Sequence, residues 1–208
     1  MSWRVGAALL AAGASRRLGL PKQLVRWEGV SLVRRLATEL CASQLTAAAV
    51  VVGCEAPRVS REVADLPLAL LNNDAWREGV ASSIRRAVDW AQDEGLDALL
   101  LASCDQLRLE RTHVTALVAA LAAGRAQGVE AVASQYDAVS GVPAVFTRAR
   151  FADLRALEGD RGAAKLLRGD ASRPRDIRDM PWPAGSDDVD TEDDMRRLGL
   201  EWPAPEPA

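Results

Sequence analysis

Short apolar runs alternate with amphipathic segments along most of this chain, and that alternation predicts its elements. Residues 4–10 pass through Val5, Ala7, Ala8, Leu9 and Leu10 without a polar break, as a strand buried on both faces would. Residues 30–43 place Leu32, Val33, Leu36 and Leu40 on one helical face and Arg34, Arg35 and Glu39 elsewhere, which predicts an amphipathic helix. A buried strand follows at 47–52, then a short helix at 57–65 and a strand at 66–71. The polar stretch 72–83 leads into a helix with Ile84, Ala87, Val88 and Ala91 inward, followed by a strand at 96–102, a helix at 112–126 and a strand at 129–134. Strands and helices in this rhythm call for an α/β fold: a mostly parallel, Rossmann-like sheet in a three-layer α/β/α arrangement.

In such sheets ligands bind beyond the carboxyl ends of the strands, and the polar loops that follow apolar runs are therefore the places to look for chemistry. The first such loop is built from Ala11, Ala12, Gly13, Ala14 and Ser15, whose small side chains let a polyphosphate approach the backbone N–H groups. Arg17 and Lys22 follow, and Gly19 and Pro21 between them allow the loop to fold back and bring both cations to one anion. The plainer alternative is a tight turn with solubilising cations, and the loop fits neither Gly-x-Gly-x-x-Gly nor the Gly-Lys-Ser/Thr ending of a Walker loop. Asp105 comes directly after the fourth strand, where a rigidly held carboxylate suits a hard cation such as Mg²⁺ and equally suits a turn or helix cap. In the stretch 72–83, Gly79 permits close approach, and Ser82 and Ser83 offer hydroxyls and free N–H groups at a helix start. A capped helix with Trp76 as a core plug is the alternative there. The acidic run 187–194 reads as a dipole-favoured helix start, capped by Thr191 or Asp190, ahead of Met195 and Leu198. That reading leaves one of its acids free for a metal.

Composition narrows the function classes. A chain of 208 residues, 49% apolar and 26% charged, can bury a core without staples, so one domain is expected over residues 1–198. Proline at alternate positions makes residues 199–208 a loose tail. A net charge of −3 argues against bulk nucleic-acid binding. Cys41, Cys54 and Cys104 are far apart, so neither a disulfide framework nor a zinc site is expected, and the first apolar run is too short for a signal peptide or a membrane span. A cytoplasmic protein is expected. The single histidine, His113, lies amid Leu117, Val118 and Leu121 in a helical stretch and reads as structural, which leaves Ser-His-Asp and Cys-His mechanisms without a base.

Residue by residue, Leu10-Ala11-Ala12-Gly13-x-Ser15-x-Arg17-x-Gly19-x-Pro21-Lys22 resembles the signature loop of the MobA-like nucleotidyltransferases. Four later stretches resemble the same family in the same order. They are Asn73-x-x-Trp76-x-x-Gly79-x-x-Ser82-Ser83, Cys104-Asp105-Gln106 with Leu107 in place of proline, Gly141-x-Pro143-Ala144-x-Phe146, and Gly159-Asp160-x-Gly162-Ala163. The run Asp188-Val189-Asp190-Thr191-Glu192-Asp193 is similar to the family's closing acidic motif without its proline. The plain alternatives for the third and fourth stretches are a tight turn before an edge strand and a helix start capped by Asp160.

The resemblance implies a nucleotide-diphospho-sugar transferase type of fold and Mg²⁺-dependent transfer. Leu10, Ala11, Ala12, Gly13, Ala14, Ser15, Arg17, Lys22, Asn73, Gly79, Ser82 and Ser83 would hold the nucleotide, with Lys22, Arg17 and Asp105 catalytic. Gly141, Pro143, Ala144, Asp160 and Gly162 would hold the acceptor, and Asp105 with Asp190 the metal, Asp188 being the fallback. The Leu-Ala-Ala-Gly opening is closest to the molybdenum cofactor cytidylyltransferases, because a methyl at position 12 narrows a base pocket against purines. That implies CTP and a phosphorylated pterin-type acceptor, with a client molybdoenzyme or its chaperone as a further partner and no nucleic acid or membrane. A phosphate nucleophile is already anionic at neutral pH, so the shortage of histidine is no obstacle. The rival readings are transfer to another phosphorylated acceptor, such as a sugar phosphate, a phospholactate or an isoprenoid precursor, and a non-catalytic chaperone that binds and inserts the finished cofactor.

Overall fold

The computed structural model describes residues 3–167 and 176–202. In chain order the elements are β1 (Val5–Leu10), β2 (Arg26–Trp27), β3 (Val30–Ser31), α1 (Leu32–Cys41), β4 (Ala47–Val52), α2 (Ala56–Glu62), β5 (Ala69–Asn72), α3 (Val80–Asp93), β6 (Ala98–Ser103), α4 (Arg111–Gly124), β7 (Ala131–Tyr136), β8 (Val139–Thr147), α5 (Phe151–Arg155), α6 (Ala164–Leu167), β9 (Ile177–Pro181) and α7 (Glu192–Leu198). Seven strands form one sheet in the order β5-β4-β1-β6-β8-β7-β9, and β2 with β3 makes a small separate ribbon. Every pairing in the large sheet is parallel except those of β8, which runs antiparallel to both β6 and β7.

The pleat of β1 feeds two apolar layers. Ala7 and Leu9 pack with Leu32, Leu36 and Leu40 of α1 and Leu117 of α4, while Ala8 packs with Ile84, Ala87 and Val88 of α3 and with Phe151 and Leu154 of α5. This is the three-layer arrangement that continuous apolar strands demand: a strand with helices on both faces has no solvated side. Leu99, Leu100 and Leu101 of β6, all fully buried, serve both layers in turn. Burying each such side chain favours the fold by roughly 1.5–3 kcal/mol.

The local departures from the periodic pattern have physical causes. The helix expected from residue 30 begins at Leu32, because Glu28 and Gly29, with φ of 51° and 77°, turn the chain so that Trp27 pairs with Val30. Ser31 then caps α1 by accepting the Arg34 N–H at 3.4 Å. The stretch around Pro143 lies inside the sheet and not at its edge: Asp137 and Ala138, with φ of 48° and 58°, make a turn tight enough to fold β8 back between β7 and β6. Proline has no N–H for a ladder, and the β7–β8 register shifts here, pairing Ala133 with Ala144 but Ser134 with Gly141. Side chains take up the freed carbonyls. Ser134 Oγ donates to the Pro143 oxygen at 2.6 Å, Tyr136 Oη donates to the Val142 oxygen at 3.1 Å, and Gln106 Nε2 also reaches Val142. The Val142-Pro143 peptide is cis.

Residues 199–202 are not a loose tail. Gly199 ends α7 in a left-handed conformation, and Glu201 pairs with Arg26 through N–H to oxygen contacts of 2.8 and 3.0 Å in the two directions. The remainder of that expected tail, 203–208, lies outside the described residues. No helix among the described residues is long and apolar enough to cross a membrane.

Candidate functional site

The loop after β1, the loop from β5 into α3, the loop after β6 and the loop after β9 all leave the carboxyl end of the parallel strands, and together they enclose a cleft of about 540 Å³. The first loop is fixed at its root. The Ala11 N–H donates to the Val51 oxygen at 3.0 Å, and the Ala12 oxygen accepts from the Cys54 N–H at 2.9 Å. Gln23, almost fully buried, donates from Nε2 to the oxygens of Ala11 (2.9 Å) and Gly13 (2.7 Å), so one side chain pins both ends of the turn. Ser15 takes a left-handed φ of 49°, accepts the Lys22 N–H on Oγ at 3.1 Å, and accepts from Leu18 and Gly19 on its carbonyl oxygen. The N–H groups of Gly13, Ala14, Ser15 and Arg16 have no partner among the described residues, and all four residues line the cleft. Successive unpaired N–H groups around a concavity attract an anion.

Lys22, brought back by this turn, places Nζ 3.1 Å from Asp105 Oδ2 and 2.7 Å from Asp190 Oδ1, and Arg17 Nη1 is 3.0 Å from Asp190 Oδ2. Burial works to lower the Lys22 pKa, but the two carboxylates outweigh it and hold the ammonium above its ordinary value. Asp105 and Asp190 are 85 positions apart in sequence and meet through backbone pairing. Gln106 bridges to Asp188, and the Val189 N–H donates to the Asp105 oxygen at 3.3 Å while its side chain is buried. Gln106 braces the junction, accepting the Ser103 N–H on Oε1 at 3.1 Å and donating from Nε2 to β8. Asp187, bonded to both Arg108 (3.2 Å) and Arg197 (2.8 Å), and the capping box between Thr191 and Asp194 fix the far side of the acidic turn. Partial burial and the nearby charges of Asp105 and Asp190 push the Asp188 carboxyl up, and Asp190 is the acid that reaches the cations.

The opposite arm of the cleft has a different character. Trp76, half-buried, lies against Ala12 and Gly53, where a Cβ at Gly53 would come within 2.9 Å of Ala12 Cβ and 2.7 Å of Trp76 Cβ. Trp76 packs against the apolar cluster that includes Ala12, and both residues line the cleft, with the Arg77 guanidinium 4.3 Å over the Trp76 ring. Gly79, at φ 109°, is packed so closely on the Gly159–Asp160 turn that a Cβ would meet the Gly159 backbone and Asp160 Oδ1 at 2.5 Å, and the Ala81 N–H donates to the Gly159 oxygen at 3.0 Å.

Of the residues singled out in the sequence, the cleft lining brings together Leu10, Ala12, Gly13, Ala14, Ser15, Arg17, Lys22, Gly79, Ser83, Asp105, Asp160 and Asp190. Ala11, Asn73 and Ser82 stand behind it. Asn73 Nδ2 donates to Ser82 Oγ (2.9 Å) and Ser83 Oγ (3.0 Å), so Asn73 and Ser82 shape the loop that presents Ser83. Gly141, Pro143 and Ala144 are buried within β8, and Gly162 sits behind Asp160 against Val80. Gln23 and Arg77 are cleft residues that sequence reasoning passed over; an amide following the glycine loop was the only signal for the first. Cys104 is buried, which pushes its thiol well above the ordinary range and leaves it inert. His113 stacks on Trp182 at 4.7 Å, bonds Ser134 Oγ at 2.7 Å and is held neutral by burial, so it supports β7 and β8.

A mostly parallel sheet interrupted by one antiparallel strand, with a loop of unpaired N–H groups and converging acids at its carboxyl edge, defines a nucleotidyltransferase class of fold. The chain belongs to the MobA-like NTP transferase domain family, whose sequence profile matches residues 7–176. It is similar to the solved Rv0371c homolog from Mycobacterium sp. strain JC1, with 29% identity over 94% of each chain and a TM-score of 0.77. It is also similar to Rv0371c from Mycobacterium tuberculosis H37Rv, with 26% identity, 95% of this chain and 98% of that one covered, and a TM-score of 0.79. Molybdopterin-guanine dinucleotide biosynthesis protein A from Archaeoglobus fulgidus shares the fold at 16% identity, with 93% and 96% of the chains covered and a TM-score of 0.64. No curated protein matches the sequence.

Proposed function

We propose that this chain transfers CMP from CTP to the terminal phosphate of a molybdopterin-type cofactor, releasing pyrophosphate. The observation that carries the reading is the convergence of Asp105 and Asp190 on the Lys22 ammonium beside a loop of unpaired N–H groups. Among the described residues no group of three or more acids, cysteines or histidines could hold a metal. Two carboxylates completed by substrate phosphates are, however, the usual way proteins bind Mg²⁺, and the donor set of Asp105 and Asp190 fits that pattern. Once bound there, Mg²⁺ would neutralise charge on the reacting phosphates. Support for a divalent ion comes from Rv0371c, which has also been solved as a manganese complex.

The chain's own groups act by position and charge. The N–H groups of Gly13 to Arg16 receive the triphosphate, and Lys22 and Arg17 offset the charge that builds on the departing pyrophosphate. An acceptor phosphate needs no proton removed, which matches a site with carboxylates, ammonium and guanidinium groups but no free imidazole. The test is pyrophosphate release from CTP, GTP, ATP and UTP with Mg²⁺ and a panel of acceptors: molybdopterin, a hexose phosphate and methylerythritol phosphate. Turnover confined to CTP with the pterin supports the reading, and turnover with another pair replaces it.

A further inference from the structure

We propose that Asp160 reads the base of the bound nucleotide by accepting a hydrogen bond from the exocyclic amine of cytosine. The inference rests on the CTP reading above and gives that reading a residue. It also moves Asp160 from the acceptor side, where the resemblance put it, to the nucleotide side.

The cleft has two arms that meet at the loop after β1. One arm ends at Lys22, Asp105 and Asp190, where the cations and acids are gathered and where phosphates must react. The other is walled by Trp76, Gly79, Val80, Ser83 and Asp160. An aromatic wall, a half-buried glycine backbone and two polar side chains make up the lining that a flat heterocycle needs: apolar faces with a few directional groups. With the triphosphate on the unpaired N–H groups between the arms, the nucleoside extends toward Trp76.

Asp160 is held there by structure. Gly79, at φ 109°, lies against the Gly159–Asp160 turn with no space for a side chain, and the Ala81 N–H to Gly159 oxygen bond of 3.0 Å ties the turn to the start of α3. The Asp160 carboxylate has no hydrogen bond or ion pair among the described residues, although it shares the cleft with Arg16, Arg17 and Arg77. Ser83 is its complement. Its Oγ accepts from Asn73 Nδ2 at 3.0 Å, which orients the hydroxyl and leaves its hydrogen to donate. A carboxylate that only accepts and a hydroxyl set to donate match the edge of cytosine, whose N4 donates and whose N3 and O2 accept. Uracil would turn its O4 lone pairs on the carboxylate.

The experiment is equilibrium binding of CTP, UTP, dCTP and GTP to the full-length protein with Mg²⁺, by calorimetry, for wild type and Asp160→Asn. The substitution is isosteric and keeps the turn, and an unchanged melting temperature shows that the fold survives. Wild type is expected to bind CTP at least tenfold tighter than UTP and to bind dCTP about as well as CTP. In Asp160→Asn, whose amide can donate to O4, the CTP to UTP ratio should fall to about threefold or less through both weaker CTP and stronger UTP binding. A ratio unchanged in Asp160→Asn, while wild type still prefers CTP, overturns the role of Asp160 and leaves the donor assignment standing. A wild type in which dCTP binds tenfold more weakly than CTP, with that gap lost in the variant, assigns the carboxylate to the ribose and overturns base reading. A wild type that prefers GTP or does not distinguish CTP from UTP overturns both this inference and the CTP reading.

Discussion

Lys22 has two carboxylates for partners, and this decides what each residue of the triad is worth. With Nζ 3.1 Å from Asp105 and 2.7 Å from Asp190, removing either acid leaves the ammonium one partner, so the fold survives while the charge arrangement for transfer does not. Asp105→Asn is expected to lower kcat by roughly 10²–10³, the scale seen when one preorganised electrostatic group is lost, with no fall in melting temperature. Steady-state pyrophosphate release, paired with thermal unfolding of the same preparation, checks both halves. At this scale the sequence was legible where a residue stood at a position matching the family's motifs, as with Lys22, Asp105 and Asp190, whose side chains meet in space. It was less legible where a residue works through another. Gln23 pins the glycine loop from beneath, and Asn73 orients Ser83, yet either could have been an ordinary loop amide. Ala144 went the other way: a motif position in sequence, it is a fully buried sheet residue in space.

Among the elements, β8 and its support are the clearest case of tertiary context overriding local pattern. The apolar runs that became β1, β4 and β6 needed only burial on both faces to be read as strands. The antiparallel β8 contains a proline and owes its interior place to Ser134, Tyr136 and Gln106 side chains that bond its freed carbonyls. β9 was not foreseen because Arg178 and Asp179 give an edge strand no apolar signature. His113 belongs to this support, and its pKa is pushed down to about 4 by burial against an ordinary 6.5. Above pH 6.5 neither the folded nor the unfolded imidazole is charged, and this contribution to stability is fully present. As pH falls from 6.5 toward about 4, the unfolded state takes up the proton first, and stability is lost. Because the ring is only partly buried and solvent screens the effect, the loss should be on the order of 1–2 kcal/mol across that window. His113→Gln, which keeps a donor toward Ser134 but does not titrate, is expected to flatten this part of the urea-denaturation profile. A variant as pH-dependent as wild type between pH 6.5 and 4 would assign the effect elsewhere.

Across the whole molecule, the sheet order places four loops at one edge; the strand and helix rhythm predicted that edge, while the pairing of Asp105 with Asp190 there was implied by the family resemblance alone. What unites them is charge: Lys22 and Arg17 from the first loop against Asp105 and Asp190 from loops that close much later in the chain. If the acids hold a divalent ion as proposed, this arrangement would make metal and nucleotide binding interdependent. A divalent cation between Asp105 and Asp190 would compete with the Lys22 ammonium, which those acids stabilise in its charged form. A triphosphate on the adjacent N–H groups would offer Lys22 another anion and so release the acids. Mn²⁺, followed by electron paramagnetic resonance, is therefore expected to bind the protein weakly alone and at least tenfold more tightly with a nucleoside triphosphate than the nucleotide's own chelation accounts for. Lys22→Met should bind Mn²⁺ alone about tenfold better than wild type and show little further gain from nucleotide. Equal Mn²⁺ affinity in the two proteins without nucleotide would mean that the ammonium does not hold the cation position, and the coupling would then need another source.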